Sequence, residues 1–186
     1  TKIAQKEIFL NEWSKNYYQR NVARGASENA IVIPLPFNFS SFKTLQDVSK
    51  KKRFVFESNV VNVGVIARWD KIKNHKAVLT AAKYAKRNGL PLAFHSIVDI
   101  PNKKEYLRME KEYERYVHVI GPQGRAKISE FCSAVDVLFL PSLFDVSPTV
   151  VLESIATDTP IVISPNVGYV SDFTSNGGSE WVMDTA

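Results

Sequence analysis

From Val61 onward, short apolar runs alternate with longer helical stretches, and this alternation constrains the fold more than any other feature of the chain. The runs are Val61–Ala67, rich in β-branched residues, then Leu92–Val98, Val117–Ile120, Val137–Leu140 and Ile161–Ser164. Between them lie His75–Asn88, Asn102–Tyr116, Ala126–Ala134 and Pro148–Thr157, whose apolar residues recur at helical spacing. Strands separated by helices in this way join as parallel neighbours through right-handed crossovers. The runs carry no polar alternation, which implies that both faces of the sheet are covered. The pattern predicts an α/β fold: a Rossmann-like parallel sheet of about six strands, with helices on both faces and Trp181–Met183 as the last strand.

The first 60 residues are less regular. Ile3, Ile8, Phe9, Trp13 and Tyr17 have helical spacing and predict a helix over Lys2–Gln19. The polar stretch Asn21–Asn29 ends it, and Ile31–Ile33 reads as a short strand stopped by Pro34 and Pro36. Phe37–Lys52 reads as irregular or partly helical. The chain thus divides into an N-terminal helix and lead-in segment over 1–42 and the α/β domain over 43–186. It opens inside a helix without Met, as an excised fragment would.

Bulk properties narrow the function classes. A chain of 186 residues supports one substantial core, and 45% hydrophobic with 23% charged residues is ordinary for a globular protein. No apolar run approaches the roughly 20 residues of a membrane span, and no signal-peptide pattern is present. Cys132 is the single cysteine, so no internal disulfide is possible, which fits a reducing compartment; a buried structural thiol is the expectation. The net charge of +5 includes the run Lys50–Arg53, but no interleaved aromatics or helix-turn-helix spacing point to nucleic acid. A modest anionic ligand accounts for the charge equally well.

In an open parallel sheet, ligands bind beyond the carboxyl ends of the strands, and three such loops carry suitable chemistry. After Val61–Ala67, Arg68, Lys71, Lys73 and Lys76 crowd the start of a helix for which Asn74 is the expected N-cap. Cations there oppose the helix dipole unless an anion lies between them; a solvated basic turn fits the same residues. After Val137–Leu140, the junction Pro141–Glu153 offers Ser147 as N-cap, Pro148 as first helical residue and the free amides of Thr149 and Val150. Asp145 and Glu153 could take separate hydroxyls of one ligand, or simply charge the helix start and face solvent. After Val117–Ile120, Gly121-Pro122-Gln123-Gly124 permits close approach of a flat ring, with Arg125 stacking or pointing outward; a plain turn fits as well. His75, His95 and His118 lack metal-ligand spacing with Cys or acids.

Taken together, Arg68 and Lys73, the pair Asp145 and Glu153 with seven residues between, then Pro160 and Gly168, resemble the donor-binding domain of family-4 (group 1) glycosyltransferases. These are retaining enzymes of the GT-B fold, and the resemblance runs from about Val61 to Met183. It implies that Arg68 and Lys73 hold the diphosphate of a nucleotide sugar, UDP- or GDP-linked, and that Glu153 binds the ribose. It implies further that Asp145 contacts the transferred sugar, that Ser147, Pro148, Thr149 and Val150 complete the phosphate and sugar contacts, and that Gly121 and Pro122 lie near the base. On this resemblance Arg68, Lys73 and Asp145 are the catalytic set of a hexosyltransferase-type enzyme that uses no cofactor, and no Asp-x-Asp motif points to a metal.

The acceptor, a glycan or lipid-linked molecule, would sit on an N-terminal domain absent from this chain, and the isolated chain would be inactive. The location implied is cytoplasmic, or peripheral at the inner face of a membrane. A non-catalytic nucleotide-sensing or interaction module of the same fold, or half of a sugar-nucleotide epimerase, are the alternative readings. The chain departs from the family at Leu35-Pro36, where an Asn-Gly pair is usual, at Asp145 for Glu, at Asp158 for Gly, and at Ser171-Asp172, where the acid falls one position late.

Overall fold

The computed structural model describes residues 6–22, 29–42, 54–100 and 103–183. Its main sheet has five parallel strands: β3 (Val61–Arg68), β4 (Leu92–Asp99), β5 (Val117–Ile120), β6 (Val137–Leu140) and β7 (Ile161–Ile163), in the order β5-β4-β3-β6-β7. The chain therefore runs outward from β3 to one edge, returns, and runs from β6 to the other. β3 and β6 meet at the switch point. They pair only at Val63↔Val137 and Gly64↔Leu138, so beyond these residues the two strands carry separate loops past the same end of the sheet.

Side-chain alternation sends each strand into two cores. On one face Val63, Val65, Phe94, Val98 and Val117 pack against α2 (His75–Arg87) through Val78, Leu79, Ala82 and Ala85. On the other Ile97, Leu138, Leu140, Ile161 and Ile163 meet Phe131 and Cys132 of α5 (Arg125–Ala134) and Val150 and Val151 of α6 (Thr149–Ala156). Helices cover both faces, as the apolar strands require. At Gly64 a Cβ would stand 2.9 Å from Phe131 and from Val135, so α5 lies directly on the backbone of β3. Cys132 is fully buried and unpaired, and burial holds its thiol well above the usual range.

Three predicted elements take a different form. The described part of Lys2–Gln19 is a strand, β1 (Glu7–Phe9), followed by α1 (Glu12–Asn21); Lys2 and Ile3 lie outside the described residues. Asn11 is the cause: its side chain accepts from the Ser14 amide at 2.8 Å while Ser14 bonds back to the Asn11 amide, a capping box that starts the helix there. Ile8 and Phe9 are left to pair in parallel with β2 (Ala30–Val32), a separate two-stranded sheet.

The predicted helix Asn102–Tyr116 is two short ones, α3 (Lys103–Leu107) and α4 (Glu110–Tyr113), with Asn102 outside the described residues. Tyr106 and Tyr113 both place their rings edge-on against the Trp69 indole, at 4.7 and 5.0 Å. In an unbroken helix seven residues would separate them by about 10.5 Å along the axis, too far to meet one indole. The third difference is Trp181–Met183, which forms the end of a 3-10 turn and a single bridge, Val182↔Ile163, instead of a sixth full strand. A last helix, α7, spans Val170–Ser175. Among the described residues no helix is long and apolar enough to cross a membrane.

Candidate functional site

The rim of the switch-point crevice is built on one side by the end of β3. Arg68 closes the strand with its side chain exposed, and among the described residues its guanidinium has no partner. The next residue, Trp69, is buried and bonds through its amide to the Asp99 carbonyl at 2.6 Å. Asp70 then accepts from the Ile72 amide at 3.0 Å and starts a 3-10 turn over Lys71–Lys73. Asn74, at φ 55°, reverses the chain in the left-handed conformation and caps α2, as its side-chain chemistry allows. The turn carries Lys73 into the crevice.

The opposite rim is the loop from Pro141 to Pro148. Here Asp145 forms an ion pair with Lys73, both side chains being less than one-fifth exposed. Two further bonds tie the rims together: Leu143 N–H to the Ile72 carbonyl at 2.8 Å and the Asn74 amide nitrogen to the Pro141 carbonyl at 3.1 Å. Asp145 is also held by its own backbone, its N–H to the Asn166 carbonyl at 3.1 Å and its carbonyl from Gly168 N–H at 2.8 Å. At Gly168 an added Cβ would lie 1.8 Å from the Val146 oxygen, so only glycine fits. That same oxygen accepts from the Asn11 side chain at 2.6 Å, and Phe144 packs on Trp13 and Tyr17 at 5.3 and 4.9 Å.

The start of α6 corrects one expectation. Pro148, not Ser147, is the N-cap, with extended backbone at ψ 120°, and Thr149 is the first helical residue. The Ser147 hydroxyl bonds instead to the Tyr169 hydroxyl at 2.8 Å. No side chain caps the helix, so the amides of its first turn, at Thr149 and Val150, are left for another acceptor. Thr149 is exposed and Val150 buried.

Glu153 does not face solvent. It is 8% exposed, and burial raises its carboxyl above the usual carboxylate range, with Arg125 partly opposing the shift. Among the described residues its carboxyl makes no hydrogen bond. Arg125 stands over the protein's own Phe42 and Phe37 rings, at 5.8 and 6.0 Å. Gly121 and Pro122 are exposed at the end of the edge strand β5, where a Cβ on Gly121 would meet nothing within 4 Å. The structure thus joins Lys73 and Asp145 directly and sets Arg68 on the same rim. Glu153 lies a turn into α6, and the Gly121 loop lies two strands away from β3.

Three residues of the site escaped sequence reasoning. Asn11 looked like part of a helix, although its position three residues before Ser14 is a capping signal. Tyr169 carried no signal. His75 is buried at the first position of α2 and bonds to the Arg68 carbonyl at 2.9 Å. His95 and His118, adjacent across β4 and β5, bring their Nδ1 atoms to 3.4 Å. Among the described residues no three His, Cys, Asp or Glu side chains are grouped to hold a metal.

A five-stranded parallel sheet with helices on both faces and a crevice at its switch point defines the class as a Rossmann-like α/β domain. Residues 48–186 match the family Glycosyl transferases group 1, and the chain belongs to that family. It is 26% identical over 121 residues to the putative glycosyltransferase EpsF of Bacillus subtilis (strain 168), covering 65% of this chain and 31% of that protein.

Among solved structures it is similar to a UDP-forming α,α-trehalose-phosphate synthase of Burkholderia vietnamiensis, with TM-score 0.73, 14% identity, and coverage of 95% of this chain and 47% of that one. It is also similar to Anabaena HepE in complex with UDP and glucose, with TM-score 0.66, 17% identity, and coverage of 90% and 46%. At these identities the likeness establishes the fold, one half of GT-B. The chain spans about a third of EpsF and just under half of these two structures.

Proposed function

We propose that this chain is the donor-binding domain, over residues 43–186, of a retaining glycosyltransferase that moves a sugar from a nucleotide diphosphate to an acceptor hydroxyl. The observation that supports it most is the convergence of Lys73 and Asp145 in the switch-point crevice, with Arg68 unpaired on the same rim. A cation beside the bound diphosphate and an acid beside the sugar are what a dissociating glycosyl phosphate calls for. As the sugar–oxygen bond breaks, negative charge grows on the leaving phosphate. Arg68, Lys73 and the uncapped first turn of α6, from Pro148 to Val150, stabilise that charge. Asp145 accepts from a sugar hydroxyl and orients the ring. Glu153 accepts from the ribose, a role that supplies the hydrogen bonds its buried carboxyl lacks in the free protein.

The base rests near Gly121 and Pro122, and Ser147 completes the contacts. Residues 1–42 lead in from an acceptor-binding domain that takes a glycan or lipid-linked acceptor at the cytoplasmic side of a membrane. Calorimetric titration with UDP, GDP and their hexose conjugates tests the reading. Binding that weakens on Arg68→Ala is the expected result; no heat at millimolar ligand, or indifference to Arg68→Ala, overturns it.

A further inference from the structure

Among the described residues the Arg68 guanidinium has no hydrogen bond or ion pair, so where it can reach depends on where the backbone holds its Cα. The Arg68 carbonyl, at the last peptide of β3, accepts from Nε2 of His75 at 2.9 Å. A carbonyl only accepts, so Nε2 carries the proton. In the neutral ring Nδ1 is then an acceptor, and it lies 3.2 Å from the Tyr113 hydroxyl. The His75 N–H thus donates to the Arg68 carbonyl, and the Tyr113 hydroxyl sits between His75 Nδ1 and the Ser96 hydroxyl, the latter 3.4 Å away.

Every link is held by packing. The His75 ring lies flat on the Trp69 indole, at 4.3 Å and 14° between planes. Trp69 is wedged edge-on by Tyr106 and Tyr113, and all four rings are at most 4% exposed. Burial also pushes the imidazole toward its neutral form, which preserves the acceptor at Nδ1. An apolar side chain would fill the same space against Trp69. Only a donor at this position satisfies the carbonyl that follows the Arg68 Cα.

We propose that His75 is a positioning residue for donor binding: buried between Trp69 and Tyr113, it fixes the Arg68 peptide and thereby directs the guanidinium into the crevice. This rests on the reading of Arg68 as a diphosphate ligand. The test uses the full chain and UDP as probe, measured by calorimetry, with His75→Leu, His75→Gln and Arg68→Ala alone and combined. His75→Leu should weaken UDP binding about tenfold. His75→Gln, whose amide keeps a donor near the Nε2 position, should restore most of the affinity.

In the Arg68→Ala background His75→Leu should cost nothing further, because a residue acting through Arg68 has nothing left to position. The same factor lost on top of Arg68→Ala, or full affinity in His75→Leu, overturns the proposal. If Arg68→Ala alone leaves UDP binding unchanged, the diphosphate reading of Arg68 fails first and is recognised by that result. Should His75→Leu not fold, Tyr113→Phe keeps the ring, removes the hydroxyl and takes its place. About threefold weaker binding is expected, absent in the Arg68→Ala background; the same loss in both backgrounds, or none in either, overturns the proposal.

Discussion

Lys73 and Asp145 stand 72 positions apart in the chain and form an ion pair across the crevice between β3 and β6. In the free protein each neutralises the other, so a bound donor redistributes contacts that already exist. On the proposed reading, a phosphate would compete with Asp145 for the lysine, and a sugar hydroxyl would give Asp145 a new donor. Lys73→Ala should weaken UDP binding roughly 10- to 100-fold, the worth of a hydrogen bond to a charged group. Asp145→Asn should leave UDP binding unchanged or tighter while shrinking the preference for UDP-sugar over bare UDP. Calorimetry with both ligands on both variants separates the two effects. Lys73→Ala leaves the Asp145 charge largely buried and unpaired and should lower stability by about 3 kcal/mol, more than loss of a surface pair would.

Glu153 is a carboxyl whose burial favours the protonated form. Its folded-state pKa lies above the unfolded one, so its contribution to stability is complete at low pH and is lost as pH rises through the folded value. Glu153→Gln should therefore raise the melting temperature at pH 8, with the gain shrinking as the pH falls toward the ordinary carboxylate range. The same variant should lose affinity for UDP. A scan of melting temperature against pH for both proteins, with and without UDP, checks the sign of each effect.

Gly168→Ala should be among the most damaging single-methyl additions. The new Cβ would fall 1.8 Å from the Val146 oxygen, a backbone atom already held by Asn11. A cost of about 3 kcal/mol or more is expected, with UDP binding lost as the Asp145 loop is displaced. Gly64→Ala meets the flexible side chains of Phe131 and Val135 at 2.9 Å and should cost about 1–3 kcal/mol without touching the crevice. Urea denaturation of both variants, beside UDP titration, distinguishes damage to the core from damage to the site.

His95 is buried on β4, and burial, with His118 beside it, lowers its pKa to about 4. Because this value lies below that of the unfolded chain, the stability His95 contributes is complete above pH 6.5 and is lost as the pH falls from 6.5 toward 4. The slope cannot exceed about 1.4 kcal/mol per pH unit for the single proton involved. His95→Gln, which cannot titrate, should flatten stability over that range. Denaturant melts at pH 7, 6 and 5 measure it.

Much of the frame was legible along the chain. β5 and β6 occupy the predicted residues, and α2 spans the predicted helix with its end one residue earlier, because strand runs and helical spacing are local signals. Asp158 adopts the left-handed conformation, φ 55°, which Asp tolerates better than most residues, so its departure from the family's Gly keeps the turn. What misled were places where distant partners override local preference. Seven-residue spacing from Tyr106 to Tyr113 looks continuous, yet one indole needs both rings. Ser147 has every local mark of an N-cap, but the Tyr169 hydroxyl takes its oxygen.

By itself, then, the sequence determined the class of fold, the edges of most strands and helices, and which loops crowd cations and acids at strand ends. These follow from periodicity and turn chemistry, which act over a few residues. Only the tertiary structure decided that Lys73 meets Asp145, that Glu153 is buried, that Asn11 reaches Val146 across 135 positions, and that His75 holds the Arg68 peptide. The first of these depends on strand order, because β3 and β6 become neighbours only when the chain has crossed back over the sheet.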